Sequence, residues 1–228
     1  MTVITISRQF GSGGRKIAAQ VCELLGYRYF DKELIAQVAT EAGLLTDEAV
    51  DFSEENYKGK RFIDRLLFPG PYNVAEIPTW RRDETGTKRL SVQSLDESRF
   101  LNLIRGVILT AYDHGNVVIV GRGGQAVLAQ LPQVLHVRIE APLENRILRI
   151  QTQEKLDPAE ARALMVERDR TVAKYLGDMF KVRPDDTRWY HLVINTGKWS
   201  LQAAAQIIVN AVGQLPVEPV ACRSLRTA

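Results

Sequence analysis

The chain is short of cysteine and histidine and has no long apolar run. Cys22 and Cys222 are its only cysteines. They stand at opposite ends of the chain without metal-ligand spacing, which excludes a disulfide framework and fits free thiols in a reducing compartment. The three histidines, His114, His136 and His191, also lack ligand spacing. No Ser/His/Asp or Cys/His arrangement is evident, so a nucleophilic triad is not expected, and no metal ligands are assigned. His136 and His191 sit in apolar runs and are expected to be packed. No stretch approaches the length of a membrane span. The start, MTVITIS, is too short and uncharged for a secretory leader. The expectation is a cytoplasmic protein with no membrane partner. Single-sign charge is lacking too: 30 Lys and Arg oppose 27 Asp and Glu, a formal net charge of +3. So small an excess fits anionic small molecules better than nucleic acid, whose binders carry stronger basic faces.

What is present is concentrated near the N-terminus. An apolar run at residues 3–6 stops abruptly. Gly11, Gly13 and Gly14 follow, then Arg15 and Lys16, and a helical apolar stripe begins at Ile17. A strand, a glycine loop and a helix N-terminus together present backbone N–H groups to a phosphate. The donor-phosphate candidates are Gly11, Ser12, Gly13, Gly14, Arg15 and Lys16. The loop departs from the Walker A pattern G-x-x-x-x-G-K-[ST]. With Gly13 as the second glycine, Arg8 stands where the first belongs and Gly14 where the lysine belongs. The magnesium-binding hydroxyl is missing as well, because Arg15 stands where Ser or Thr belongs. Arg15 or Lys16 would have to supply the missing charge. The plainer alternative is a glycine-rich turn into an amphipathic helix with two solvated cations.

The rest alternates. Short apolar runs at 3–6, 27–30, 117–120, 134–139 and 191–194 read as strands. Helical spacing reads at 17–25, from 34 to Gly43, from Ser94-Leu-Asp-Glu97 onward, at 125–131, after Pro142, from Asp157 to about 176, and from Ser200. Alternating strands and helices predict a parallel sheet in a three-layer α/β/α domain, with ligands at the C-terminal strand ends. Residues 1–213 read as one domain. Residues 45–93 read as a mobile insertion with short helices near 47–67, and 214–228 as a flexible tail.

Several blocks together resemble the cytidylate kinase-like family, related to the P-loop nucleoside monophosphate kinases. They are ITISRQFGSGGR at 4–15, LGYRYFDKELI at 25–35, VIVGRGG at 118–124, VRIEAPLENRILR at 137–149, ERDR at 167–170 and YHLVINT at 190–196. The resemblance covers roughly residues 1–212. It implies a five-stranded parallel sheet of order 2-3-1-4-5, an acceptor-binding insertion, and a lid at about 150–175.

The resemblance also implies roles. Arg122 would contact the acceptor phosphate, a task suited to the planar guanidinium fork. Asp31 would help seat the acceptor, although the same residue could simply cap the following helix. Asp169 would join the acceptor site. Arg146, Arg149 and Arg168 flank the lid and would join Arg15 and Lys16 in neutralising charge on the transferring phosphoryl group. The alternative for each is a solvated face with salt bridges such as Glu167 with Arg170. The implied reaction is ATP- and Mg²⁺-dependent phosphoryl transfer to a nucleoside monophosphate, CMP or dCMP first. The alternatives are a nucleotide sensor of the same fold without turnover, and a nucleic-acid-associated protein using the basic insertion.

Overall fold

The computed structural model describes residues 1–30, 75–82, 88–95 and 97–215. Five strands form a parallel sheet: β1 (Val3–Arg8), β2 (Arg28–Phe30), β5 (Val117–Val120), β6 (Val134–Glu140) and β7 (Leu192–Asn195). Their order is β2-β5-β1-β6-β7. Counted along the sheet's own strands this is 2-3-1-4-5, as the resemblance implied. β1 is central: Val3 pairs with Val117 on one side and Val134 on the other.

The three layers follow from alternation along β1, because successive residues of a strand face opposite sides. Val3 joins Phe30, Val117, Ile119 and Val134 under α2 (Glu97–His114), whose Ile104, Val107, Ile108 and Ala111 are buried. Ile4 and Ile6 face the other side. There they meet Ile17, Ala18 and Val21 of α1 (Gly14–Leu25) and Ala204, Ala205 and Ile208 of α6 (Leu201–Val212). A short α3 (Gly124–Val127) follows β5. A third apolar cluster joins Ile150 of α4 (Leu143–Glu154) to Ala161 and Met165 of α5 (Pro158–Phe180), with Phe10 packed against it. Asp157 caps α5 through a reciprocal exchange with Glu160.

Two expectations need correction. Ser94 does not open a helix. It lies in β4 (Lys88–Leu95), paired with Glu76 of β3 (Ala75–Arg82), and α2 starts at Glu97. The stretch 75–95 thus contains an antiparallel hairpin where no strand was expected, with Thr79 opposite Ser91 and Trp80 opposite Leu90. Branched and aromatic residues carry β preference there, but charges and Pro78 hide the alternation. The 125–131 helix is also shorter than expected, ending at Val127. The short helices near 47–67, the helix after residue 34, Asp31, and residues 216–228 of the tail lie outside the described residues.

Candidate functional site

The loop between β1 and α1 is fixed from beneath through its carbonyls. Arg149 donates through Nη1 to the Ser12 carbonyl at 3.1 Å and to Thr196 Oγ1 at 2.9 Å, and through Nη2 to the Thr196 carbonyl at 2.9 Å. Thr196 Oγ1 donates to the same Ser12 carbonyl at 2.8 Å. Arg146 Nε donates to the Phe10 carbonyl at 2.7 Å, and its Nη2 ion-pairs with Asp169. Asp169 in turn accepts from the Phe10 N–H at 3.1 Å. Gln9 Oε1 accepts from Ala141 N–H, and Ser12 Oγ donates to the Gln9 carbonyl.

These arginines take up loop carbonyls, while the Phe10 and Ser12 N–H groups donate to Asp169 and to the Gln9 carbonyl. The first intrahelical bond of α1 runs from Ile17 N to Gly13 O. The N–H groups of residues 14–16 precede it and have no partner within the helix. Gly13, at φ 85°, makes the left-handed turn that aims them. Arg15 and Lys16 are exposed on this first helical turn. A tetrahedral anion fits such a cradle.

Beside the loop lies a pocket between the ends of β1 and β5 and the face of α5. Arg8, Arg122, Gln125, Arg168, Thr171 and Tyr175 line it. Arg122 Nη1 donates to the Phe30 carbonyl at 3.1 Å, and its guanidinium carbon lies 5.4 Å from the Phe30 ring centre. The Tyr175 hydroxyl reaches the Arg122 carbonyl. Burial pushes the Tyr175 phenol well above its ordinary range, so it stays protonated as a donor. Arg168 is exposed on the α5 side. Gln125 is 2% exposed, and its Nε2 has no hydrogen-bond partner among the described residues.

The pocket's field is cationic. Desolvation, with the charges of Arg15, Arg122 and Arg138, brings the Arg8 guanidinium down to about 10. Arg138 is buried in β6, donating to Ser7 Oγ at 2.9 Å and Glu140 Oε1 at 3.2 Å beneath the Tyr190 ring.

Of the residues named from sequence, Arg122 and Arg168 come together in the pocket, and residues 11–16 form the loop beside it. Arg146, Arg149 and Asp169 hold the loop from its carbonyl side instead of facing the pocket. Arg8 as a pocket residue, Gln125, Tyr175 and Arg138 were missed. For Arg138 a signal existed: an arginine in the apolar run Val-Leu-His-Val-Arg-Ile, in register with Ser7.

A glycine loop opening a helix at the C-terminal edge of a 2-3-1-4-5 parallel sheet, with arginines gathered beside it, places this chain among the P-loop kinases, which are nucleotide-binding transferases. Comparison narrows the class. The family model of the cytidylate kinase-like family matches residues 3–198, and the chain belongs to that family. A cytidylate kinase of Methanopyrus kandleri is 26% identical over 222 residues, covering 93% of this chain and 94% of that protein. A cytidylate kinase of Methanocaldococcus jannaschii is 33% identical over 103 residues, 44% of this chain and only 58% of that relative. Among solved structures, an uncharacterized protein from Eubacterium ventriosum superimposes with a TM-score of 0.62 at 20% identity, covering 94% of this chain and 99% of the other. That likeness shows the fold. No described helix is long and apolar enough to cross a membrane.

Proposed function

We propose that the protein transfers the γ-phosphoryl group of ATP to a nucleoside monophosphate, with CMP or dCMP as the first candidates. The observation that carries this reading is the convergence of Arg8, Arg122 and Arg168 on one pocket directly beside the glycine loop. Donor phosphates would lie in the loop at 11–16, on the N–H groups of residues 14–16 at the start of α1, with Arg15 and Lys16 adding charge. Arg122 would hold the acceptor phosphate, with Asp31 contributing where β2 ends. Arg168, reaching in from α5, would neutralise charge on the group in transit, and α4 with α5 would serve as the lid. In this reading Arg146, Arg149 and Asp169 act by holding the loop in shape.

An acceptor phosphate oxygen attacks the γ-phosphorus. The bond from that phosphorus to the bridging oxygen breaks, and ADP leaves with the electron pair. The attacking oxygen is already anionic, so no general base is needed. The protein's share is positioning and electrostatics. Among the described residues no cluster of three His, Cys, Asp or Glu side chains gathers to hold a metal. Mg²⁺ would arrive bound to the nucleotide and supply charge neutralisation on its phosphates.

Glycine at position 14 favours a second reading, a sensor that binds nucleotide without turnover. Purified protein with ATP, Mg²⁺ and a panel of nucleoside monophosphates separates the two. ADP with a matching nucleoside diphosphate supports the kinase; saturable ATP binding without product supports the sensor. Salt-sensitive oligonucleotide binding with neither result would overturn both.

A further inference from the structure

The loop lacks its lysine, and Arg15 and Lys16 are both exposed on the outside of the first turn of α1. A different residue fills the space that the lysine's position commands. A side chain built at Gly14 would begin 2.7 Å from Arg8 Cβ and 3.1 Å from Arg8 Cγ. The same arginine then runs across to the end of β5, where a side chain at Gly121 would begin 2.2 Å from Arg8 Nη1. Arg8 thus passes over position 14 and delivers its guanidinium to the seam between the loop and the pocket. Any side chain at 14 or 121 would displace it. Gly121 moreover holds φ 76°, which a branched residue would not adopt.

Among the described residues no acidic side chain hydrogen-bonds or ion-pairs with Arg8. Three of the neighbouring groups acting on it, Arg15, Arg122 and Arg138, are cations, and the Tyr29 phenol is the one neighbour that favours its charge. A half-buried cation held among like charges costs stability unless an anion joins it.

We infer that Arg8 is the loop's phosphate-binding cation. Arginine at the first loop position and glycine at the lysine position form one coordinated exchange: the charge of the usual lysine enters from the other end of the loop, and Gly14 is the clearance it needs. The ligand is the polyphosphate of the donor, at the end nearest the acceptor pocket. The inference deepens the kinase reading and rests on it for the donor's identity. It corrects the expectation that Arg15 or Lys16 replaces the lysine.

The test is calorimetric binding of ATP and of inorganic tripolyphosphate to the full chain, with circular dichroism to check folding. Arg8→Ala is expected to weaken ATP at least tenfold, and more than Arg15→Ala does. Gly14→Lys alone is expected to bind poorly, because the new chain meets Arg8. The double variant Arg8→Gly with Gly14→Lys, which rebuilds the usual arrangement, is expected to bind more tightly than either single change. Unchanged affinity in folded Arg8→Ala, a greater loss from Arg15→Ala, or a double variant no better than Arg8→Gly would overturn the inference. If Arg8→Ala fails to fold, the double variant decides. Arg8-dependent binding of tripolyphosphate without ATP binding would sink the kinase reading and leave the role of Arg8 standing. Wild type that binds neither anion overturns both.

Discussion

Arg8 and Gly14 occupy one space. The β-carbon of the arginine lies 2.7 Å from where a side chain at position 14 would start. That contact involves the stem of Arg8, fixed by the central strand, and not the flexible end of its chain. Gly14→Ala is therefore expected to destabilise the fold by about 2 kcal/mol, the usual scale for a methyl forced into filled space. Urea unfolding followed by circular dichroism measures it. A loss below a few tenths of a kcal/mol would mean that Arg8 moves aside freely.

Gln125 carries a prediction with opposite signs for stability and function. Its amide nitrogen is buried with no partner among the described residues, so Gln125→Leu is expected to leave stability unchanged or raise it by about 1 kcal/mol. If that amide reads an acceptor atom, the same change raises KM for the nucleoside monophosphate about tenfold and leaves KM for ATP alone. Equal KM values for both variants would remove Gln125 from the site.

Arg168 is exposed and lines the pocket from α5. A residue that acts mainly on the transferring group lowers kcat and kcat/KM together. Arg168→Ala is expected to reduce kcat roughly 100-fold with an unchanged melting temperature, a drop on the scale of losing one transition-state donor. An unchanged kcat in a nucleotide assay would return Arg168 to the solvated surface.

Asp169 ties α5 to the loop through Arg146 and the Phe10 N–H. Asp169→Asn keeps an acceptor for Phe10 but strands the buried Arg146 charge. The expected cost is about 2 kcal/mol, below the roughly 3–5 of a fully buried pair because Asp169 is partly exposed to solvent. Thermal unfolding checks it, and the variant should also bind ATP more weakly as the loop loosens.

His136 predicts the pH dependence. It is buried against His191, with Nδ1 2.7 Å from Thr5 Oγ1 and the rings 4.9 Å apart. Burial, then the His191 charge, lowers its pKa to about 4 from the ordinary 6.5. The unfolded chain binds this proton at higher pH than the folded one does. The stabilisation is thus complete above pH 6.5 and is lost as pH falls from 6.5 to 4, by at most about 3 kcal/mol. Denaturant midpoints at pH 7.5 and 5 should differ more in wild type than in His136→Gln.

Much of the architecture could be read in the chain because it depends on short-range pattern. Apolar runs bounded by glycine, proline or charged residues marked all five sheet strands within a residue or two. Spacing such as Ile104, Val107, Ile108 and Ala111 marked the helix face that the structure buries. The hairpin at 75–95 was not legible, because pairing between Trp80 and Leu90 is a cross-strand relation that charges along each strand obscure.

By itself, then, the sequence determined the sheet, the glycine loop at its edge and the arginine at the end of β5, since periodicity and turn chemistry act between near neighbours. Only the tertiary structure decided what each charge does. Arg146 and Arg149, spaced like lid cations, turn to loop carbonyls because α4 packs beneath the loop. Arg8, which in the sequence looked only like a missing glycine, reaches the pocket because β1 runs beside β5 and glycines at 14 and 121 leave it a path. A long side chain's partner is set by which elements meet in space, and that information lies in the packing of the whole sheet.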